Sequence, residues 1–189
     1  MEYVQPIRDI KQINAIKKVL RASSLRDYCL FIVGINSGLR ISDLLSLSIA
    51  DVVDASGKAK DRVSIREQKT GKSKDFPLGD SAKKALKEYL DSLADVAPDT
   101  ALFASRKGGN AITRQQAYRV INDAARTVGI TDQIGTHTMR KTFGYHAYKQ
   151  GVDITRIQQM LNHSSPKVTL RYIGITQDDL DDVYLNLNL

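Results

Sequence analysis

With 189 residues and a formal net charge of +7, the chain can bury the core of one domain and favours a polyanionic partner such as DNA or RNA. The chain has a single cysteine, Cys29, so an internal disulfide is excluded. One cysteine and three histidines at these spacings cannot form a zinc site. The apolar runs are shorter than the ~20 residues that span a bilayer, and the first residues lack a signal-peptide pattern, so we expect a cytoplasmic protein.

The first third of the chain has the spacing of helices. Apolar residues recur every three or four positions from Ile10, and Asp9 is the expected N-cap of that helix. A second helix is predicted over residues 25–37 and ends at Gly38, a residue that commonly stops helices. A third helix is predicted over residues 42–47.

The pattern then changes to that of a β-hairpin. Residues 62–66 alternate polar and apolar side chains, as a half-buried strand does. Residues 69–73 are interpreted as the turn and residues 75–78 as the return strand, and residues 51–53 can add a third strand.

Helical patterns fill most of the remaining chain. Helices are predicted at residues 81–93, 113–128, 139–150, 155–161 and 167–172. The sequence therefore predicts a mainly α fold with one small antiparallel β-sheet, of the α+β class.

His137 and Arg140 stand three positions apart in the string His-Thr-Met-Arg. On a helix this spacing puts both side chains on one face. A phosphate in a transition state can use both, a guanidinium on its oxygens and an imidazole that handles protons. Alone, such a pair is more often a solvated surface pair.

Arg40 follows the helix stop at Gly38 and precedes the next predicted helix. Backbone N–H groups at a helix N-terminus favour anions, so a guanidinium there suits a phosphate. Asp43 lies three residues further on, within reach to hold Arg40 or to cap the helix. A surface arginine and a plain capping residue are the alternative.

His163 and Tyr172 are nine residues apart, with a serine-rich turn between two short helices. A tyrosine near the end of a helix can be delivered into a cationic pocket. There the phenol, whose pKa is ~10 in water, is expected to ionise more readily. Attack on an ester by such a side chain is nucleophilic catalysis, although packing is the more common role of any single tyrosine.

Lysines crowd the predicted hairpin turn at Lys69, Lys72 and Lys74. Such turns commonly contact phosphate backbones, and a flexible lysine can also give a proton to a leaving oxygen. A solvated turn is an equally good interpretation of Lys72 and Lys74.

The ordered set of these residues resembles the tyrosine recombinase, or phage integrase, family. The matching strings are SGLRISDLLSL at 37–47, KTGKS at 69–73, HTMRKTFGYHAYKQG at 137–151 and IQQMLNHSSPKVTLRYI at 157–173. The resemblance covers nearly the whole chain from about Ile10 to Ile173 and implies the catalytic-domain fold of that family.

The resemblance implies how the strand would be cut. Tyr172 would attack the scissile phosphate and leave a 3′-phosphotyrosine and a free 5′-hydroxyl. Arg40 and Arg140 would clamp that phosphate, and Lys69 would protonate the leaving oxygen.

The resemblance also assigns supporting roles. His137 would act as a general acid/base or hold the phosphate, and His163 would donate a hydrogen bond to a non-bridging oxygen. Asp43 matches a supporting acidic position. Asn162 departs from the family pattern, which usually has glycine there, and His146 matches no catalytic position and is interpreted as structural.

The implied partner is double-stranded DNA, with no membrane contact and no metal or nucleotide cofactor, since the phosphotyrosine conserves the bond energy for religation. We expect further DNA contacts from basic residues outside the catalytic set: Lys72, Lys74, Arg114, Lys141 and Arg171.

The expected domain organisation is a catalytic domain at residues 1–175 and an acidic amphipathic tail at residues 176–189. The tail places Leu180, Val183, Tyr184 and Leu187 on one helical face. In the family such a segment packs on a neighbouring protomer, so the chain is expected to form a tetramer on DNA and a monomer without it, with the tail in trans or folded back. Family members usually carry an N-terminal core-binding domain, which this chain lacks, so it is either a fragment or a minimal member.

Three functions stay open on the sequence alone. The first is a site-specific DNA strand transferase, and the presence of all six catalytic positions favours it. The second is a catalytically idle DNA-binding module on the same fold. The third is a DNA-relaxing enzyme like the type IB topoisomerases, which share the phosphotyrosine strategy.

Overall fold

The computed structural model describes residues 4–94, 96–106 and 109–187. In chain order its elements are α1 (Ile10–Ser23), α2 (Leu25–Ser37), α3 (Ile41–Leu45), α4 (Ile49–Val52), β1 (Arg62–Arg66), β2 (Ser73–Pro77), α5 (Asp80–Leu90), α6 (Arg114–Thr127), α7 (Thr138–Lys149), α8 (Ile154–Met160), α9 (Pro166–Ile173) and α10 (Gln177–Asn186). The predicted mainly α fold with a small antiparallel sheet is confirmed.

The first two helix boundaries follow from their capping residues. The Asp9 carboxylate accepts a hydrogen bond from the backbone N–H of Lys11 at 2.7 Å and so starts α1. Helix α2 ends at Gly38, whose φ of 60° lies in the left-handed region. A Cβ there would also come within 2.6 Å of the Phe143 ring, so both backbone and space require glycine. This stop turns the chain and places Arg40 directly before α3.

The third strand predicted at residues 51–53 is wrong. Ile49–Val52 forms the helical turn α4, and only Val53 makes a β-bridge, with Ala59. The backbone N–H of Ser48 donates to the Asp51 carboxylate at 2.8 Å. This local cap at the start of a helix outweighs the strand preference of the two valines.

Strands β1 and β2 form the predicted antiparallel hairpin. Val63 faces Phe76 across the pair, and both are buried on the side toward the core. The backbone N–H of Gly71, with φ of 65°, donates to the carbonyl of Glu67 at 2.8 Å and tightens the turn.

The main core is built around α2, which packs against α1, α5 and α7. A smaller apolar cluster joins α7, α8 and α9 through Tyr145, Ile157, Leu161 and Ile173. Gly144 on α7 permits this packing, because a Cβ there would lie 2.6 Å from a methyl carbon of Ile173. The helices on either side of His163 are thereby fixed against α7.

The first described residues lie along α7. Thr138, Thr142 and His146 are spaced by about one turn each on that helix. The Thr138 hydroxyl donates to the carbonyl of Gln5 at 3.0 Å, and the N–H of Ile7 donates to the Thr142 hydroxyl at 2.9 Å. Nε2 of His146 lies 2.9 Å from the carbonyl of Ile7, a contact that fits the structural role expected of this histidine.

We call residues 4–9 the N-terminal segment. Near its end, Nη2 of Arg8 donates to the carbonyl of Gly174 at 2.7 Å, and its guanidinium lies 5.4 Å from the ring centre of Tyr145. Gly174 is the C-cap of α9, two residues after Tyr172. The N-terminal segment therefore contacts both α7 and the end of α9.

The acidic tail begins as the helix α10. The carboxylate of Asp179 accepts from the N–H of Thr176 at 2.9 Å and lies 3.2 Å from Nζ of Lys149. Tyr184 and Leu187 are exposed, whereas the side chains of Leu180 and Val183 lie outside those that the structure describes. Within the described ranges, no helix has the length and apolar character needed to cross a bilayer.

Candidate active site

Four of the predicted catalytic residues contact the phenol of Tyr172, near the end of α9, or act on it by charge, and the charge of Lys69 acts on His137. The predicted catalytic residues come from the start of α3, the hairpin turn, the start of α7, the α8–α9 turn and α9: Arg40, Lys69, His137, Arg140, His163 and Tyr172. In the described part of the chain, no three His, Cys, Asp or Glu side chains converge as metal ligands would.

His137 directly contacts the phenol. Its Nδ1 lies 3.2 Å from Oη of Tyr172. Burial, and then the charges of Arg140 and Lys141, lower the pKa of His137 below its ordinary value. The imidazole is therefore neutral at pH 7 and can accept a proton from Tyr172.

The phenol itself corrects one expectation. Burial raises the pKa of Tyr172 by more than the positive charges of Arg140 and Arg40 lower it. The prediction that the pocket would make this phenol ionise more readily is therefore wrong for the DNA-free protein, because desolvation of the phenolate is the larger effect. Tyr172 stays protonated until a base takes its proton.

Arg140 is fixed by two helix ends. It is only 2% exposed, and its guanidinium donates to the carbonyl of Gly38 at 2.5 Å and to that of Leu161. These carbonyls lie at the C-terminal ends of α2 and α8, where the helix dipole favours a cation. Arg140 thus ties the end of α8, next to His163, to the body of the domain.

Arg40 is held by two buried carboxylates. Its Nη1 lies 2.7 Å from Oε1 of Glu67 and 3.9 Å from Oδ2 of Asp43. Among the described residues, none of these three atoms has an aligned hydrogen bond. Attraction between opposite charges therefore holds Arg40 in place. The other oxygen of Asp43 accepts from the N–H of Gln68 at 2.9 Å, which joins α3 to the hairpin.

Glu67 is a site residue that the sequence reasoning missed. Burial raises its pKa, but hydrogen bonds from Thr70 and Asn162, together with the charge of Arg40, outweigh this and hold the pKa at about 2. Asn162 donates to the Glu67 carboxylate at 3.0 Å and has a φ of 49°, the left-handed region that also suits the glycine usual there. The available signal was an acidic residue two positions before Lys69 in a hairpin rich in basic residues.

His163 lies beside Tyr172, with ring centres 4.7 Å apart and the rings edge to face. The backbone N–H of His163 donates to the backbone carbonyl of Gln158 at 3.0 Å. The side-chain amide of Gln158 donates back to the carbonyl of His163 at 3.1 Å. Burial, and then the charges of Arg140 and Arg40, lower the pKa of His163 to about 4. This histidine is therefore neutral at pH 7.

The hairpin lysines have different surroundings. Lys69 is exposed, and its charge acts on His137. Nζ of Lys72 lies 3.4 Å from the side-chain oxygen of Asn162. Nζ of Lys74 turns inward to the carbonyl of Met160 at 3.1 Å.

The other residues predicted to contact DNA differ in exposure. Arg114 and Arg171 are exposed. Lys141 is buried, and its Nζ lies 5.1 Å from the ring centre of Tyr172. Lys74 is partly buried, and burial, followed by the nearby charge of Arg140, lowers its pKa to about 8.

Comparison with known proteins gives one family. The model described as "Phage integrase family" matches residues 7–178. The chain is 44% identical over 184 residues to the probable integrase/recombinase YoeC of Bacillus subtilis (strain 168), covering 97% of each chain. It is 34% identical over 167 residues to the type 1 fimbriae regulatory protein FimE of Escherichia coli (strain K12), covering 86% of this chain and 82% of that protein.

Other relatives are longer. Tyrosine recombinase XerC of Pelobacter propionicus is 34% identical over 160 residues, which cover 85% of this chain and 51% of XerC. The crystal structure of XerA recombinase superposes with a TM-score of 0.76 at 25% identity and covers 98% of this chain and 64% of that chain. The XerH site-specific recombinase, solved with its difH substrate, gives the same score at 20% identity, covers 96% of this chain and 52% of XerH, and supports the fold alone.

Proposed function

Because the chain belongs to the phage integrase family of tyrosine recombinases, we propose that it is a site-specific recombinase that cuts and rejoins DNA through a 3′-phosphotyrosyl bond at Tyr172. One observation carries the proposal. Oη of Tyr172 lies 3.2 Å from Nδ1 of a neutral His137. The charges of Arg40 and Arg140 act on the same phenol, where the phosphate would sit.

The scissile phosphate is bound by the two guanidinium groups. Arg140 is fixed by carbonyls and Arg40 by carboxylates, so neither has to be ordered when the phosphate arrives. Both place positive charge where the pentavalent transition state gains negative charge. Asp43 supports Arg40 rather than the phosphate itself.

The cutting step moves two protons. Oη of Tyr172 attacks phosphorus while its proton passes to Nδ1 of His137, and the bond from phosphorus to the 5′ oxygen breaks. Lys69 gives a proton to that oxygen, so a free 5′-hydroxyl leaves. Religation reverses each transfer: a 5′-hydroxyl attacks the phosphotyrosine, Lys69 takes its proton, and His137 returns one to Tyr172. No metal or nucleotide cofactor takes part in these steps.

Double-stranded DNA is the partner in this proposal. The net charge of +7 and the exposed Arg114 and Arg171 support contact with phosphates beyond the scissile one. Exchange of the tail between protomers would form a tetramer on DNA from chains that are monomeric without it, and the exposed Tyr184 and Leu187 suit such packing.

Covalent capture tests the proposal. Purified protein is incubated with fragmented genomic DNA of its host, denatured with SDS, and the DNA that stays bound is sequenced. We expect wild type to retain defined sequences and Tyr172→Phe to retain none while it still binds DNA before denaturation. Covalent DNA on the Tyr172→Phe protein would refute the assigned nucleophile, and none on wild type would favour an idle binding module.

A relaxation assay addresses the topoisomerase alternative. Supercoiled plasmid without any captured sequence should stay supercoiled with the wild-type protein. Relaxation of that plasmid would favour a DNA-relaxing enzyme and count against site-specific recombination.

A further inference from the structure

A chain of hydrogen bonds connects a ring nitrogen of His163 to the backbone of α9. Oγ1 of Thr169 lies 3.0 Å from the carbonyl of Ser165, and Nδ1 of His163 lies 3.2 Å from the same hydroxyl. The carbonyl of Ser165 also accepts from the backbone N–H of Thr169 at 3.1 Å and can take the hydroxyl hydrogen as its second bond. In that arrangement the hydroxyl accepts from His163, which places the proton on Nδ1 and leaves a lone pair on Nε2; a hydroxyl turned toward the ring would place the proton on Nε2.

The partners of this chain are themselves fixed. Thr169 is fully buried on α9, and its hydroxyl bonds back to the carbonyl one turn earlier. Ser165 is the N-cap of α9, with its own hydroxyl accepting from the N–H of Val168 at 3.2 Å. The backbone of His163 is held on both sides by Gln158. Rotation of the ring would break the bond to Thr169 without replacing it.

The groups that face the ring are mostly positive. Arg40 acts on it from the start of α3 and Arg140 from α7, and the phenol of Tyr172 meets it from α9. Burial and these two charges keep the imidazole neutral at pH 7. A neutral ring with its proton on Nδ1 presents only a lone pair at Nε2, and a lone pair repels a phosphate oxygen.

We propose that Thr169 is a positioning residue that holds His163 in the Nδ1–H form, so that binding of the scissile phosphate takes up one proton at Nε2. The inference rests on the proposed function, because the phosphate supplies the negative charge that offsets Arg40 and Arg140. The proton comes from solvent and returns there when the phosphate leaves. The protonated ring then donates to Thr169 through Nδ1 and to a phosphate oxygen through Nε2.

Nitrogen NMR of the DNA-free protein tests the positioning directly. With three histidines in the chain, ¹⁵N-histidine labelling gives few signals, and His137→Gln and His146→Gln identify two of them. We expect His163 of wild type and of Thr169→Ser to show the Nδ1–H form. Thr169→Val keeps the shape without the hydroxyl and should shift the ring toward the Nε2–H form.

An Nε2–H form in the wild-type protein would overturn the proposal, even if Thr169→Val failed to fold. A Thr169→Val spectrum identical to that of wild type would overturn it as well. These spectra need no DNA and no cleavage. They therefore test the positioning of His163 independently of the proposed recombinase activity.

A second measurement follows the proton. The Tyr172→Phe protein is saturated with a mixed-sequence duplex at low salt, as judged by fluorescence anisotropy, and its His163 signal is recorded at pH 7. We expect a doubly protonated ring. The affinity for the duplex should also fall about tenfold per pH unit between the pKa of His163 in the free protein, about 4, and its higher pKa in the complex, level off above the latter, and fall less steeply in the Thr169→Val background. A neutral His163 in the saturated complex would refute the proton uptake.

Discussion

Nδ1 of His137 lies 3.2 Å from Oη of Tyr172, although 35 residues separate them in the sequence. Since burial raises the pKa of this phenol, the proposed attack at neutral pH would depend on the neighbouring imidazole as a base.

Replacing this base should slow strand cleavage and change its pH dependence. We expect His137→Gln to lower the single-turnover rate of adduct formation by about 10²- to 10⁴-fold at pH 7, with DNA binding retained. The residual rate should rise about tenfold per pH unit, because the phenol must then ionise unaided. The wild-type rate should level off above the lowered pKa of His137. The measurement is the amount of SDS-resistant adduct over time from pH 6 to 9.

His146→Gln is the matched control for that experiment. This histidine lies on the same helix but contacts the carbonyl of Ile7 instead of the phenol. Its substitution should leave the shape of the pH profile unchanged. Equal profiles for the two variants would count against His137 as the base.

Glu67 should make the free energy of unfolding depend on pH in the acidic range. Its pKa of about 2 in the folded protein lies below the ordinary value of 4.5, so its contribution is complete above pH 4.5 and is lost as the pH falls toward 2. We expect Glu67→Gln to lower the free energy of unfolding by on the order of 1–3 kcal/mol at pH 7, and the difference from wild type to shrink toward pH 2. Urea unfolding at both pH values measures it. A difference that stays constant with pH would show that Glu67 is not held as a charged group.

Gly144 should be sensitive to one added methyl group. The Cβ of Gly144→Ala would lie 2.6 Å from a methyl carbon of Ile173, the residue after Tyr172. We expect a cost of about 1–3 kcal/mol in unfolding free energy and a larger relative loss in adduct formation, because the nucleophile is displaced. Gly79→Ala is the control, since nothing lies within 4 Å of its added Cβ. Full cleavage by Gly144→Ala would show that α9 tolerates the shift.

Lys72 and Lys74 should differ in the salt dependence of DNA binding. If ~6 phosphates are neutralised, the logarithm of affinity should fall with the logarithm of salt at a slope near −5. Lys72→Met should reduce that slope by about 1. Lys74→Met should leave it unchanged, because the Lys74 ammonium is directed at the carbonyl of Met160. A smaller slope for Lys74→Met would support the DNA contact first predicted for it.

Local pattern was enough to predict most of the fold. The alternation at residues 62–66 matches β1, and Gly38 ends α2 as predicted, because both depend on neighbours in sequence. The strand predicted at residues 51–53 was wrong because one capping hydrogen bond, from the N–H of Ser48 to the Asp51 carboxylate, overrides the strand preference of these residues.

The site was predicted less completely than the fold. The order of residue types predicted six catalytic positions, but not the balance between burial and charge that sets the pKa of Tyr172. Glu67 was missed because its partners Arg40 and Asn162 lie far away in the chain and meet only in the folded protein. Such contacts depend on tertiary packing, which cannot be predicted from the spacing of residues in the sequence.

The N-terminal segment connects the first described residues to the end of α9, next to Tyr172. Its backbone is bonded along α7, and Arg8 grips the carbonyl of Gly174 just beyond Tyr172. A pull on this segment would reach the end of α9 through the hydrogen bond between Arg8 and Gly174. Tension on residues 4–9 would therefore be expected to change the position from which α9 presents the phenol of Tyr172.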